Sequence, residues 1–492
     1  MLDGADPAPA RAILERLGAR QPIEGGLYRE YRRARDGGQR AMEDRWTEQL
    51  CDKVAHDDVG LVGFKLWAGN GLAGAIRMAE ALRARFPRVR LVAGGPAVNY
   101  TRATFFRRTT VFDALAYGDG EDTILALARE AADAPGVVRR EGDRIHATPP
   151  RFSRDLDVWP PPTYARDVYP SIDRMFRIRI VDESRGCFNR CAFCSHRHLS
   201  DVTRVRSPAR VADEMELGLR EGVTTFRLSG SNPPRRFLEA LAKELIARKI
   251  RPSYSVYSSF NNMRPSSLPL LAESGLAGMF FGLEAGDPEH LRRVHNKNNR
   301  SEEHILETTR TAMELGIFVA LSVIVPSPFE TEATTRATLS LLTRIFEDRR
   351  HGSVLALPAF LLPGNDWWER RAEFGFELEP GWDAERLVTH LLDWDSDWLL
   401  PRELAKEAHY RLNGKDSHQL FDECGAFVTA LERAGIQTNI DDAAYMIALS
   451  GGLDPRRFKV EMCARLVRGG RERLVSFVEA MNAGAAPASH AA

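Results

Sequence analysis

Between residues 58 and 130, three short apolar runs alternate with amphipathic stretches such as AGAIRMAEALRARF and GDGEDTILALAREA. The runs are VGLVGF (59–64), VRLVAGG (89–95) and FDALAYG (112–118). Apolar runs of this length, two of them ending in glycine, read as buried strands. Their alternation with helical periodicity predicts a parallel, doubly wound, Rossmann-like α/β domain over residues 1–145. No apolar opening strand precedes residue 58, where the chain is charged and helical, so this sheet is expected to be abbreviated. Residues 135–175 are rich in Pro and Arg without apolar periodicity and read as a linker, bounded at 146–175 once the first domain is closed at 145. The alternation restarts at FRIRIVDES and continues through TTFRLSG, PSYSVYSS, AGMFFGLEAG, FVALSVIVP and SVLALPAFL. These six strand–helix units over 176–378 predict a second parallel β/α domain of TIM type, with its chemistry at the C-terminal strand ends. Past 379 the rhythm stops. Amphipathic helices to about 482 predict a small C-terminal helical domain, and AGAAPASHAA (483–492) reads as a disordered tail. Trp382, Trp394 and Trp398 near Asp393, Asp395 and Asp397 are expected to pack that domain; a pocket over the barrel mouth is the alternative.

Composition narrows the classes. Lys plus Arg number 68 and so do Asp plus Glu, which leaves no basic footprint for nucleic acid and no acidic tail. No apolar run approaches the ~20 residues of a membrane span, and the first residues lack a signal-peptide layout. Six cysteines in 492 residues, three of them clustered, are not a disulfide framework. Cys51, Cys424 and Cys463 stand alone and are expected to be buried thiols. A cytoplasmic protein is expected, with no membrane and no nucleic-acid partner.

The chemistry concentrates in Cys187-Phe-Asn-Arg-Cys191-Ala-Phe-Cys194, directly after a strand. Three thiolates on one short loop can hold a [4Fe–4S] cluster with one iron left open. They can also hold zinc, if His196 or His198 supplies the fourth ligand. With Phe193 between the second and third cysteines, the loop resembles that of radical S-adenosylmethionine (SAM) enzymes. The resemblance implies that SAM binds the open iron and that the six units form a partial (β/α)6 barrel. It also implies that Ser229, Gly230 and Ser231 at the second strand end, with Glu284 in GLEAG, hold SAM, while Phe193 packs by the cluster or the adenine. Ser322 on the fifth strand faces either the lumen or the helices. VPSPFET carries Ser327 where the family's turn usually has glycine, so it bears on the fold alone.

The upstream domain resembles the cobalamin-binding domain of one large radical SAM branch. Gly94-Gly95-Pro96 and Gly118-Asp119-Gly120-Glu121 carry that likeness; family members have GGP and GEGE at these places. By the same resemblance, Gly94, Gly95, Gly118, Gly120 and Glu121 cradle cobalamin, Thr123 stands at a helix start suited to phosphate, and Trp67 and Asn70 lie against the lower face of the corrin. Trp67 as a plain packing residue, and a vestigial cobalamin fold, are the alternatives. The implied function is a cobalamin-dependent radical SAM C-methyltransferase acting on a small molecule or peptide. Ring contraction, cyclisation or rearrangement without net methyl transfer is the second reading. An external donor such as a flavodoxin or ferredoxin is the expected partner, and no catalytic base is nominated.

Overall fold

The structure, a computed structural model, describes residues 8–18, 21, 23–164, 178–196, 200, 202–348, 350–392 and 407–455. Two helices, Ala8–Gly18 and Gly25–His56, lead the chain into its first sheet. That sheet contains β1 (Leu61–Lys65), β2 (Arg90–Gly94), β3 (Ala114–Ala116), β4 (Val137–Glu141) and β5 (Arg144–Ala147), hydrogen-bonded in that order. β1, β2 and β3 are parallel, and the three predicted runs form them. β4 and β5 are an antiparallel hairpin paired to β3. Among the described residues no strand lies beyond β1, so the sheet is short, as the missing opening strand implied. The hairpin corrects the sequence expectation. Residues 137–147 complete the sheet instead of linking domains, because Gly142, at φ +60°, turns the chain between the two strands.

The second sheet begins with β6 (Ile178–Val181), followed by the short ribbon strands β7 (Ser184–Arg185) and β8 (Arg204–Val205). Then come β9 (Thr225–Leu228), β10 (Ser253–Ser258), β11 (Leu276–Glu284), β12 (Phe318–Ile324) and β13 (Gly352–Leu357). The order β6-β9-β10-β11-β12-β13 is parallel throughout, which is the open six-stranded barrel expected. Alternation sorts the side chains. Phe226, Val256, Met279, Phe281, Leu321 and Val354 join the core under the outer helices, while Arg227, Tyr257, Phe280 and Ser322 face the lumen cavity. Hydroxyl caps start those helices where the strands hand over. Ser207 accepts from the Arg210 amide, and Thr331 forms a capping box with Thr334.

The C-terminal helices complete the barrel instead of forming a separate unit. Helix Ser417–Arg433 contributes Cys424, Phe427 and Leu431 to the barrel's own core. Helix Asp442–Ser450 enters the lumen from the strand-start end. Its Tyr445 ring stacks on Phe318 with centroids 4.2 Å apart, and Asp442, wholly buried, accepts from Ser255 Oγ (2.7 Å) and Arg227 Nε (3.0 Å). A strand pair, β14 (Phe376–Leu378) and β15 (Tyr410–Leu412), accompanies them. Cys51 and Cys424 are buried thiols as expected. Trp382 stacks on His409 at 3.9 Å. Trp394, Trp398, Asp393, Asp395, Asp397, Cys463, His198 and the 483–492 tail lie outside the described residues.

Candidate active site

A cavity of about 470 Å³ opens at the C-terminal ends of the barrel strands. Cys187, Cys191, Cys194 and Phe193 line one wall, and Ser229, Ser231, Asn232, Glu284 and Ser322 line others. Three of the four residues expected to hold SAM are therefore together, with Phe193 beside them and Ser322 turned to the lumen. Gly230 is the exception. Its amide donates to Glu183 (3.0 Å), and a Cβ there would meet Ser184 Oγ at 1.9 Å and Glu183 Oε1 at 2.1 Å. Glycine is needed so that the Ser229–Ser231 loop can close over β6, while its two serines carry the polar groups.

The loop's geometry separates the two metal readings. Zinc–sulfur bonds of ~2.3 Å put tetrahedral ligands about 3.8 Å apart. Among the described residues, the one group of His, Cys, Asp or Glu whose ligand atoms all converge within 4.8 Å is Glu379, Glu407 and His409. The three cysteine sulfurs do not all lie within that distance of one another, a looser set than one tetrahedral zinc requires. His196 does not converge with the three sulfurs within that distance; its Nδ1 is hydrogen-bonded to Ser231 Oγ at 3.0 Å, and burial holds the imidazole below its ordinary range. Burial likewise pushes the Cys191 thiol up to about 12. Bound cations of a cluster reverse this, because a coordinating thiol is deprotonated.

Behind the loop, the 363–368 segment supports it. Ser195 Oγ donates to Pro363 O (2.8 Å), Asn365 Nδ2 to Phe193 O (2.7 Å) and Trp367 Nε1 to Val294 O (3.0 Å). Phe193 packs against His295 and Trp367, with centroids 5.7 Å away in each case.

Residues 184–342 match the family described as the Radical SAM superfamily. This segment, about a third of the chain, is a radical SAM domain. The chain is 25% identical over 359 residues to an uncharacterised methyltransferase of Pyrococcus horikoshii, covering 69% of this chain and 75% of that protein. It is 26% identical to the cobalamin-dependent radical SAM methyltransferase TokK of Streptomyces tokunonensis over 59% of this chain, and spans only 45% of TokK. The solved radical SAM methyltransferase TsrM of Kitasatospora setae, with cobalamin and a [4Fe–4S] cluster bound, superposes with a TM-score of 0.64. That match has 16% identity and covers 88% of this chain and 92% of TsrM, so the two share a fold. As a radical SAM enzyme, the chain works with a [4Fe–4S] cluster and SAM. No helix among the described residues is long and apolar enough to cross a membrane.

Three functional residues of the radical SAM domain escaped the sequence. Lys297 donates to Glu284 Oε1 (2.8 Å) and to Gly282 O (2.6 Å), and Ser322 Oγ donates to the other Glu284 oxygen (3.1 Å). Burial opposes the charge on Lys297, but the Glu284 carboxylate overrides it and holds the ammonium above its ordinary range. Glu284 is thus not a solvated rim acid; it sits in the cavity wall at φ +65°, on a bulge of β11. Glu183 bridges the ends of β6 and β9 through Gly230, and full burial pushes its carboxyl up to about 7 despite the Gly230 and Ser184 hydrogen bonds. Arg227 forms the cavity floor with Tyr257, held from below by Asp442. An acid closing an apolar strand just before the cysteine loop was the one available signal, for Glu183.

The upstream loops converge as well. Gly95 has φ +98°, and a Cβ on it would lie 2.8 Å from Leu66 O, so glycine lets the GGP turn pass the Trp67 loop. The Gly118 amide donates to Asn99 Oδ1 (2.7 Å), and the Asn99 amide to Gly95 O (2.9 Å). A Cβ on Gly94 would approach Ala116 O at 3.3 Å, whereas Gly120 faces open space. Asn70 opens helix Asn70–Arg85. Trp67 is 62% exposed, with Lys65 Nζ 5.8 Å from its ring, which excludes the packing alternative. Glu121 departs from its expected place in the cradle, because Arg185 holds its carboxylate with two hydrogen bonds (2.6 and 3.1 Å). Thr123 Oγ1 donates to Pro135 O (2.8 Å) within the domain and is buried there, not turned to a ligand.

Proposed function

We propose that this chain is a cobalamin-dependent radical SAM C-methyltransferase acting on an unactivated carbon of a small molecule or peptide. The observation that carries the reading is the single cavity in which Cys187, Cys191 and Cys194 meet Ser229, Ser231, Glu284 and Ser322. The TsrM-like fold and the exposed Trp67 at the C-terminal edge of β1 add the upstream half. The cluster and SAM supply a carbon radical, and cobalamin supplies a methyl group that polar transfer from SAM cannot place on such a carbon.

In this reading Cys187, Cys191 and Cys194 ligate the cluster, and Phe193 shields it. Ser229 and Ser231 receive the SAM amino group, and Glu284, steadied by Lys297, accepts from ribose hydroxyls or an ammonium. Gly94, Gly95, Gly118 and Gly120 shape the cobalamin loops, with Trp67 below the corrin. The plugged lumen keeps water from entering beneath the radical. An external flavodoxin or ferredoxin delivers the electron.

The test is anaerobic reconstitution with iron, sulfide and hydroxocobalamin, then desalting, an absorbance spectrum, and assay of nucleosides after adding reductant and SAM. Retained corrin with both 5′-deoxyadenosine and S-adenosylhomocysteine supports methyl transfer. Deoxyadenosine without retained corrin rejects it in favour of a cobalamin-independent radical reaction.

A further inference from the structure

β7 and β8 pair in a register that sets Arg185 directly opposite Arg204. Like charges at opposed positions of an antiparallel ribbon destabilise it, so this ribbon needs an external source of negative charge. The N-terminal domain supplies it. Asp119 takes two hydrogen bonds from Arg204 (2.5 and 3.2 Å) and lies 3.4 Å from Arg185, while Glu121 takes the bidentate pair from Arg185. Within the barrel, Asp182 adds a third carboxylate on Arg185 (2.9 Å). One half of the network is shielded from water, the side chains of Arg204 and Asp119 being 3% and 10% exposed, while Arg185 and Glu121 at its other half are 24% and 30% exposed. Burial alone would raise the Glu121 carboxyl, but Arg185 holds it below the ordinary range.

Its position in the chain gives the network reach on both sides. Asp119 lies between Gly118 and Gly120 in the upstream glycine loop, at the start of helix Gly120–Ala128. Arg185 is followed by Gly186 and then Cys187. Gly186 has φ +79°, and a Cβ there would lie 2.6 Å from Val202 O, so the ribbon and the cysteine loop cannot slide independently.

We propose that Asp119, Glu121, Arg185 and Arg204 are an interdomain latch: positioning residues that fix the upstream glycine loops at one distance from the cluster loop. The latch rests on the cobalamin reading above for its purpose, though not for its existence. It sets how the bound SAM divides between radical cleavage, which needs the cluster alone, and methyl donation, which needs the upstream loops at the right distance.

The test uses the full chain with Asp119→Asn, Arg185→Gln and the double variant. In protein carrying the cluster only, amide hydrogen exchange at residues 118–123 and 184–186 is expected to rise about tenfold in each variant. The double variant should be no worse than the singles, since all three break one network. With hydroxocobalamin added, the ratio of S-adenosylhomocysteine to 5′-deoxyadenosine should fall about tenfold while deoxyadenosine formation stays within about twofold. Unchanged exchange overturns the latch, and so does a parallel fall of both products, which marks a purely structural clamp. If the unaltered chain retains no corrin, the cobalamin reading fails while the exchange data still decide whether the latch exists.

Discussion

The two halves of this molecule solve the cofactor problem in opposite ways. In the barrel, the charged groups are buried and answered: Lys297 by Glu284, Arg227 by Asp442, Glu183 by Gly230 and Ser184. In the N-terminal domain, the loops at the strand ends are shaped by backbone approach, and their most prominent side chain, Trp67, stands in solvent. The contrast teaches where each half keeps its specificity. The barrel is organised before its ligand arrives, so its site is costly to disturb; in the proposed function, the upstream loops make a surface that cobalamin itself would cover.

The sharpest way to break this contrast is at the cluster loop. Replacing Cys191 by Ala should abolish the cluster's absorbance and reduce SAM cleavage to background, with an unchanged far-ultraviolet circular dichroism spectrum. Next in size is Lys297→Met, which leaves Glu284 as an uncompensated buried charge; a loss of about 3–5 kcal/mol in denaturant unfolding is expected. A loss below about 1 kcal/mol, the scale of surface pairs, would place the pair with exposed ion pairs and erase the distinction between the halves.

A third test uses pH. Because the native state raises the Glu183 carboxyl from 4.5 to about 7, it binds that proton more tightly than the unfolded chain does. The resulting stabilisation is complete below the unfolded value and is lost as pH rises through about 7, a slope worth roughly 3 kcal/mol. Glu183→Gln should remove most of it in unfolding curves recorded between about pH 5 and pH 8. The smallest effect is expected upstream. Trp67→Ala should change stability by no more than about 0.5 kcal/mol and leave 5′-deoxyadenosine formation intact, yet lower corrin retention after desalting. Destabilisation by Trp67→Ala comparable to that of a core residue would show that the two halves are built alike.

What the sequence disclosed follows the same division. Cys187, Cys191 and Cys194 sit on one loop, and Ser229, Ser231, Glu284 and Ser322 sit at or near strand ends, so local spacing and the parallel β/α rhythm were enough to gather them. Lys297 lies in the polar run HNKNNR after a helix, where nothing marks one cation among its neighbours as buried. Asp442 meets Arg227 across 215 residues, and no local pattern encodes such a contact. The hairpin at 137–147 did carry a signal, Gly142-Asp143 between two short runs, but its arms are charged and lack the apolar alternation of a strand. Glu121 looked like part of a ligand cradle because its motif neighbours are glycines; only the fold brings Arg185 to it.

The helix plugging the lumen also has a consequence for how the protein is made. Chains emerge from the ribosome amino end first, and domains fold as they appear. Here the six strands, their outer helices and the cysteine loop are all synthesised before Asp442 exists. Until residues 442–450 have emerged, the barrel is a tube open at both ends, with Arg227 held by Tyr257 but lacking its carboxylate partner. The vessel acquires its base last, so a cluster inserted into the nascent chain would sit in a site that solvent reaches from below. Maturation is therefore best timed after release, when the chain's own late segment has sealed the compartment.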